Sequence, residues 1–267
     1  MTPVTPTFHQ VTADVVENVR VAESTFKVRV DAPEIACRVR AGQFVMIRMA
    51  GLNAPLIGRA LAVWDVDGDA IELIYVRKGA LTRVLSEALP GSAVTLWGPL
   101  GNGFDLRPCR ELVIAVGGIG QTPMLMLGRA MLREKMCERV TVVYGARRES
   151  LLAGVDDFRA AGFDVTLCTD DGSAGRRGFV PDVLADHLTR DDVRVVTCGP
   201  EIMMRKVAEL CERRDIDCQV SMETPMACGI GICYSCVAKV RQPDGDWDYK
   251  RTCVEGPIFH GPQIIWD

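Results

Sequence analysis

The sequence predicts an α+β multidomain protein with an N-terminal antiparallel β-barrel, a central α/β nucleotide-binding domain on a parallel sheet, and a small C-terminal cysteine-rich domain. Three observations carry that prediction. Residues 8 to 104 hold short alternating apolar segments separated by Gly, Pro and Asp. From residue 111 the apolar strands lengthen and alternate with helical stretches. Residues 226 to 236, "MACGIGICYSC", then crowd three cysteines into one loop. A chain of 267 residues has room for two or three cores, because domains run to about 100 to 150 residues. The expected boundaries are 1–105, 106–220 and 221–267.

Hydrophobic content of 48%, charged content of 25% and a net charge of -4 describe an ordinary globular chain without a basic excess. Nucleic acid is therefore not an expected partner. The opening "MTPVTPTFHQVTADVVENV" has no basic stretch followed by an apolar one, and no apolar run approaches the roughly 18 residues of a membrane span. The expected location is cytoplasmic. Eleven cysteines agree with a reducing compartment if most are small buried hydrophobes. Cys37, Cys109, Cys137, Cys168, Cys198, Cys211 and Cys218 are scattered and take that reading.

The barrel rests on "FKVRVDAP", "QFVMIRMAG", "RALAVWDVDGDAIELIYVRKG" and "SAVTLWGPLG", whose alternation is that of strands with one buried face. In the next region "ELVIAVGG", "RVTVVYGAR", "DVTLCTDDG" and "RVVTCGP" are strands, and "PMLMLGRAMLREK" is a helix. That order argues a parallel sheet covered on both faces. Met124, Met126 and Met131 follow helical spacing and belong to its core.

Ligands of such sheets sit where strands end and helices begin. The turn "GGIGQTP" has that position: Gly117, Gly118 and Gly120 let the backbone approach a pyrophosphate, and Thr122 and Pro123 suit the first turn of a helix. A tight turn without a ligand explains these glycines as well. The later "CGP", Cys198, Gly199 and Pro200, ends another apolar strand at the same edge, and two converging loops favour a nucleotide. Arg147 and Arg148 either meet an adenosine 2'-phosphate or cap an exposed strand end, which leaves NAD and NADP both open. Asp170 and Asp171 are expected in a solvated turn, and His260 as a packing or surface residue without a partner.

Cys228, Cys233 and Cys236 follow a C-x4-C-x2-C spacing, and Cys253 comes after sixteen intervening residues, past the turn in "QPDGDWD". This is the spacing of a plant-type [2Fe-2S] cluster. Four thiolates around two irons and two sulfides leave net negative charge, which asks for backbone N–H groups and a tightly curled loop. Gly229 and Gly231 supply both through positive φ, and Cys253, expected on the following strand, closes the far side. A zinc site with four cysteine ligands is the alternative, but zinc ribbons favour two C-x2-C pairs and only one is present.

The barrel, "GGIGQTP" and "CGP", in that order, resemble the ferredoxin-reductase superfamily. The segment "METPMACGIGICYSC", with Cys253 in "YKRTCVEGPIF", resembles more closely the electron-transfer subunits of dihydroorotate dehydrogenases, and "GPLGNGF" at 98 to 104 fits as well. The resemblance implies FAD on the barrel, NAD(H) on the α/β domain and a [2Fe-2S] cluster. The family's Arg-Pro-x-Ser segment falls on Arg59, Ala60, Leu61 and Ala62: the arginine suits a flavin pyrophosphate, whereas Ala62 lacks the hydroxyl. Ile74, Tyr75 and Val76 match the strand along the flavin. The family's Gly-x-Gly-Thr turn falls on Gly79, Ala80, Leu81 and Thr82, with Leu81 in place of a glycine. Loss of one neutral hydrogen bond costs about 0.5 to 1.5 kcal/mol, too little to abolish binding.

The resemblance further implies an oxidoreductase subunit of pyrimidine biosynthesis that exchanges electrons with the FMN of a separate dihydroorotate dehydrogenase catalytic subunit. Substrate chemistry is expected in that partner, and no catalytic residue is assigned here. Two alternatives remain open at this point. One is the reductase subunit of an NADH-dependent ferredoxin:NADP or sulfide oxidoreductase, and the other a non-enzymatic redox-sensing module that has lost flavin.

Overall fold

A computed structural model describes residues 8–188 and 192–266. Six strands close into a barrel in the order β1-β2-β5-β4-β3-β6: β1 (His9–Ala22), β2 (Thr25–Asp31), β3 (Phe44–Met49), β4 (Arg59–Asp67), β5 (Ala70–Val76) and β6 (Ala93–Leu100). Two short helices, α1 (Pro33–Ala36) and α2 (Ala80–Leu85), interrupt them. Alternation drives the closure: Val28, Val30, Val45, Ile47, Val63, Leu73, Val94 and Leu96 point inward and are fully buried. Strand β1 pairs antiparallel with both β2 and β6 and so seals the barrel.

The central sheet contains β7 (Glu111–Gly117), β8 (Arg139–Ala146), β9 (Asp164–Thr169), β10 (Arg176–Arg177), β11 (Val193–Cys198) and β12 (Cys218–Ser221), with α3 (Met124–Arg133), α4 (Val155–Ala160), α5 (Val180–His187) and α6 (Glu201–Arg213) between them. Successive side chains of a strand serve opposite layers. Ile114, Val116, Val142 and Tyr144 pack with Met124, Leu125, Met131 and Phe158 of α3 and α4. Val113, Ala115, Val143 and Val195 pack with Val183, Leu184, Met204 and Val207 of α5 and α6. Burial on both faces explains why these strands are continuous apolar runs. Chain order reverses between β7 and β11, which makes the ends of those strands the place for a ligand.

After β12 the chain runs back along the barrel, forms the hairpin β13 (Val237–Arg241) and β14 (Trp247–Arg251), and returns as β15 (Ile258–His260). Strand β15 adds antiparallel to β12, so the C-terminal segment completes the central sheet and does not stand apart from it. The buried Arg194 joins the linker to this sheet, its Nε donating to Asp217 Oδ2 at 2.7 Å and its Nη1 to the carbonyls of Asp105 and Arg107. His260, expected to lack a partner, has its Nδ1 3.5 Å from Asp217 Oδ1. Among the described residues no helix is long and apolar enough to cross a membrane.

Candidate redox-cofactor sites

The turn after β7 and the loop after β11 meet at the edge of the sheet, and a cavity lies on either side of them. One cavity, of about 530 Å³, is lined by Gly117 and Gly118 on one side and Pro200, Ile202 and Met203 on the other, with Phe179 and Arg147 across from them. Its walls are mostly apolar, and its charged groups are Arg147, Asp170 and Lys206. Asp170 thus faces a cavity, whereas its neighbour Asp171 is held in the turn by Ser173, whose amide and hydroxyl both donate to it. Arg147 and Arg148 part company: only Arg147 lines the cavity.

The second cavity, of about 650 Å³, opens between the barrel, the same turn and the segment leaving β12. It is bordered by Arg59, Ala60, Leu61 and Ala62 of β4, Ile74, Tyr75 and Val76 of β5, Gly79 and Thr82, together with Thr122, Pro123 and Cys198. The Arg59 guanidinium lies over Gly79, where any Cβ would stand 3.2 Å from its Nη2, so the glycine makes room for the cation. Thr82 Oγ1 accepts from the amides of Lys78 and Gly79 at 3.0 Å each and fixes the turn beneath that arginine. The Arg59 cation at one end and the largely apolar run of β4 and β5 beside it suit the pyrophosphate and the length of a flavin dinucleotide.

Three of the expected ligands do not line either cavity. Leu81 is buried inside α2, where its side chain packs into the protein, so the missing glycine costs no approach from the cavity side. A Cβ on Gly120 would fall 2.3 Å from the Cys198 carbonyl oxygen, and one on Gly199 2.8 Å from that of Gly117. Both glycines therefore serve the contact between the two loops. Tyr75 borders the flavin cavity but turns its ring into the barrel, stacking on Phe26 and donating its hydroxyl to Asn18 Oδ1 at 3.0 Å.

Beyond the barrel the four cysteines come together as two pairs. Cys236 Sγ is 3.2 Å from Cys253 Sγ in the buried interior, and Cys228 stands beside Cys233 on the exposed side. Cys253 sits in the turn just after β14, not on a strand. Gly229 and Gly231 have φ of +72° and +83°, and the Ile230 amide points at Cys228 Sγ from 3.4 Å. Arg251 Nη1 donates to the Gly231 carbonyl at 3.0 Å and locks the curl from outside. The Ser235 hydroxyl and amide lower the Cys233 thiol to about 6, while burial lifts Cys253 to about 12. Two cysteine pairs on a C-x4-C-x2-C loop and its following turn suit the two irons of a [2Fe-2S] cluster.

Residues 223–265 match the iron-sulfur cluster binding domain of dihydroorotate dehydrogenase B, and residues 114–209 match an oxidoreductase NAD-binding domain. The electron transfer subunit of dihydroorotate dehydrogenase B (NAD(+)) from Desulforamulus reducens is 36% identical, the match covering 92% of this chain and 95% of that protein. Its counterpart from Clostridium perfringens is 34% identical over 93% and 95%. The chain belongs to this electron transfer subunit family. A solved NADH-dependent reduced ferredoxin-NADP oxidoreductase, described for flavin-based electron bifurcation, superimposes with a TM-score of 0.84 at 28% identity, covering 96% of this chain and 90% of that one.

For a member of the dihydroorotate dehydrogenase B electron transfer family, the informative residues that sequence reading passed over lie between β12 and the first cysteine. Ser221, Met222, Glu223, Thr224 and Met226 all line the flavin cavity. Cys198 Sγ donates to Glu223 Oε1 at 3.7 Å. Burial raises the Glu223 carboxyl above its ordinary value, and burial followed by the nearby Glu223 charge pushes the Cys198 thiol well up. The "SMETPM" segment held the signal, as a lone acid in an apolar stretch beside the cysteine motif. Trp97 was hidden more deeply: its Nε1 donates to the Cys228 carbonyl at 2.9 Å across 131 residues.

Proposed function

We infer that this chain is the NAD-linked electron transfer subunit of a dihydroorotate dehydrogenase and works between NAD(H), FAD and a [2Fe-2S] cluster. One observation carries the reading: the three sites share walls in a line. The turn 117–123 and the loop 198–200 border the nucleotide cavity on one side and the flavin cavity on the other. Phe44, Ala60 and Met226 border the flavin cavity and belong to the same apolar cluster as Cys236 and Cys253. A flavin supplies exchange between a two-electron hydride carrier and a one-electron centre.

The residues divide the remaining work. Arg59 and the turn at Gly79 and Thr82 bind and orient the dinucleotide, and Ala60, Leu61, Ala62, Ile74, Tyr75 and Val76 border its length. Gly117, Gly118 and Pro200 give the nicotinamide nucleotide a close backbone, and Thr122, Pro123 and Cys198 separate the two ligands. Cys228 and Cys233 hold one iron, Cys236 and Cys253 the other. The functional units are residues 1–105, 106–220 and 221–267, with β15 returned to the middle one. Dihydroorotate oxidation belongs to an FMN-containing catalytic subunit, and the cytoplasm is the compartment that suits the many thiols. The exposed Ile232 and Tyr234 on the cluster loop, 74% and 62% accessible, give that subunit an apolar face beside the exposed Cys233.

Anaerobic purification with iron, sulfide and flavin quantified on one sample tests the assignment. Two irons, two sulfides and one FAD per chain are expected. Reconstitution with the catalytic subunit of the same organism should then give dihydroorotate-dependent NAD+ reduction. Repeated failure with a correctly loaded subunit would refute the pyrimidine assignment and leave the ferredoxin:NADP type of reductase.

A further inference from the structure

In parallel nucleotide-binding sheets the end of the second strand meets the adenosine ribose. A carboxylate there accepts from the 2'-hydroxyl, and an arginine there takes a 2'-phosphate. In this sheet β8 is that strand, and it runs directly into Arg147 and Arg148. Two adjacent arginines there would suit a 2'-phosphate, yet the relatives of this chain carry NAD(+) in their names.

The contradiction is resolved by the barrel. Glu23, in the turn between β1 and β2, reaches across to the loop after β8 and engages Arg148 through both carboxylate oxygens. Arg148 Nη2 is 2.5 Å from Oε1, and Nε is 3.2 Å from Oε2. Ser150 Oγ donates to Oε2 at 2.6 Å, and the Glu23 amide donates to the Ser150 carbonyl at 2.8 Å, so the carboxylate is fixed in place. The bidentate geometry occupies the edge of the guanidinium that a phosphate would use. Arg148 is turned from the cavity, and Arg147 remains there with the Asp170 carboxylate as a fellow lining group.

We propose that Glu23 is a specificity-determining positioning residue: by holding Arg148 against the barrel it denies a 2'-phosphate its second arginine and sets the preference of the nucleotide cavity for NAD(H) over NADP(H). The proposal rests on the reading of that cavity as the nicotinamide nucleotide site. Neither residue touches the reacting atoms. The carboxylate acts through Arg148 alone, 125 residues away in sequence, which is why the sequence of the nucleotide domain by itself leaves NAD and NADP both open.

The test compares wild type, Glu23→Gln, Arg148→Ala and the double variant as full chains. NAD+ and NADP+ binding is followed by titration calorimetry, and NADH- and NADPH-dependent dye reduction in parallel. Glu23→Gln should tighten NADP+ by about tenfold, the effect of one added charge-assisted hydrogen bond, with a much smaller change for NAD+. The gain should vanish in the double variant. An unchanged NADP+ to NAD+ ratio in Glu23→Gln would overturn the proposal, as would a gain that survives without Arg148. Equal weakening of both nucleotides would show Glu23 to be only a brace between domains. Wild type that binds neither nucleotide would instead sink the underlying cavity assignment.

Discussion

Gly229 is the position where the cluster loop is most exposed to a single methyl group. Its φ of +72° is left-handed, and an added Cβ would stand 2.5 Å from Met46 Cγ and 3.1 Å from Leu100 Cδ1 on the barrel floor. Two independent costs follow for Gly229→Ala. A non-glycine residue in that conformation costs about 1 to 2 kcal/mol, and forcing a methyl into a packed contact costs about 1 to 3 kcal/mol more. Together they disfavour the native loop by about 2 to 5 kcal/mol, or a factor of about thirty to several thousand. Gly245 supplies the control, because its φ is +90° in the β13–β14 turn but an added Cβ meets nothing within 4 Å. Gly245→Ala therefore bears only the conformational cost. Iron and acid-labile sulfide per chain, measured anaerobically beside FAD, read the difference. Gly229→Ala should lose most of its cluster, Gly245→Ala should keep it, and flavin should stay in both. Full iron in Gly229→Ala, or equal loss in the two variants, would refute the idea that the loop's seat on the barrel holds the cluster.

Three further outcomes are expected. Arg59→Leu should weaken FAD by about ten- to a hundredfold, the worth of a charge-assisted bond, seen as flavin lost on gel filtration; retained stoichiometric flavin would remove Arg59 from the site. Cys233→Ser should deplete iron while NADH-dependent dye reduction continues, and unchanged iron and sulfide would show the ligand set to be wrong. Glu223 gives a pH dependence with a definite sign. Because burial raises its folded pKa above 4.5, its contribution to stability is fully present below the unfolded value and is lost as pH rises through the folded one. Wild type should therefore lose thermal stability relative to Glu223→Gln as pH rises above the ordinary carboxylate range; a Tm difference that does not change with pH would place the carboxyl in solvent.

What the sequence disclosed follows the reach of its signals. The strands β7, β8 and β11 are buried on both faces, and the cysteine spacing is local, so each is visible in a short window. Strand β1 is less so, because only Ala13 and Val15 of its fourteen residues are buried and the alternation breaks down in its second half. The roles of Gly120 and Gly199 could not be separated for a related reason: a glycine needed against another loop looks in sequence like a glycine needed against a phosphate. Partners such as Trp97 with Cys228, or Glu23 with Arg148, lie more than a hundred residues apart and carry no local pattern at all.

The spacing between flavin cavity and cluster is set by covalent geometry more than by docking. Met226 borders the cavity, and Cys228 follows two residues later, which limits their Cα separation to about 7 Å whatever the domains do. From the other side, Cys236 and Cys253 pack against Phe44 and Met46 of β3, the former also a cavity wall. A segment tethered at one end and buried against the barrel at the other has little freedom to swing. Thr224 and Thr252 tighten it further, their hydroxyls hydrogen-bonded at 2.5 Å between the linker and the turn that carries Cys253. The nucleotide side is anchored as well: its loops touch through glycines, the buried Trp64 of β4 packs edge-on against Phe158 of α4, and Arg129 of α3 pairs with Asp65, beside the exposed Glu23 and Arg148 pair. Electron exchange between cavity and cysteines therefore works at fixed distance.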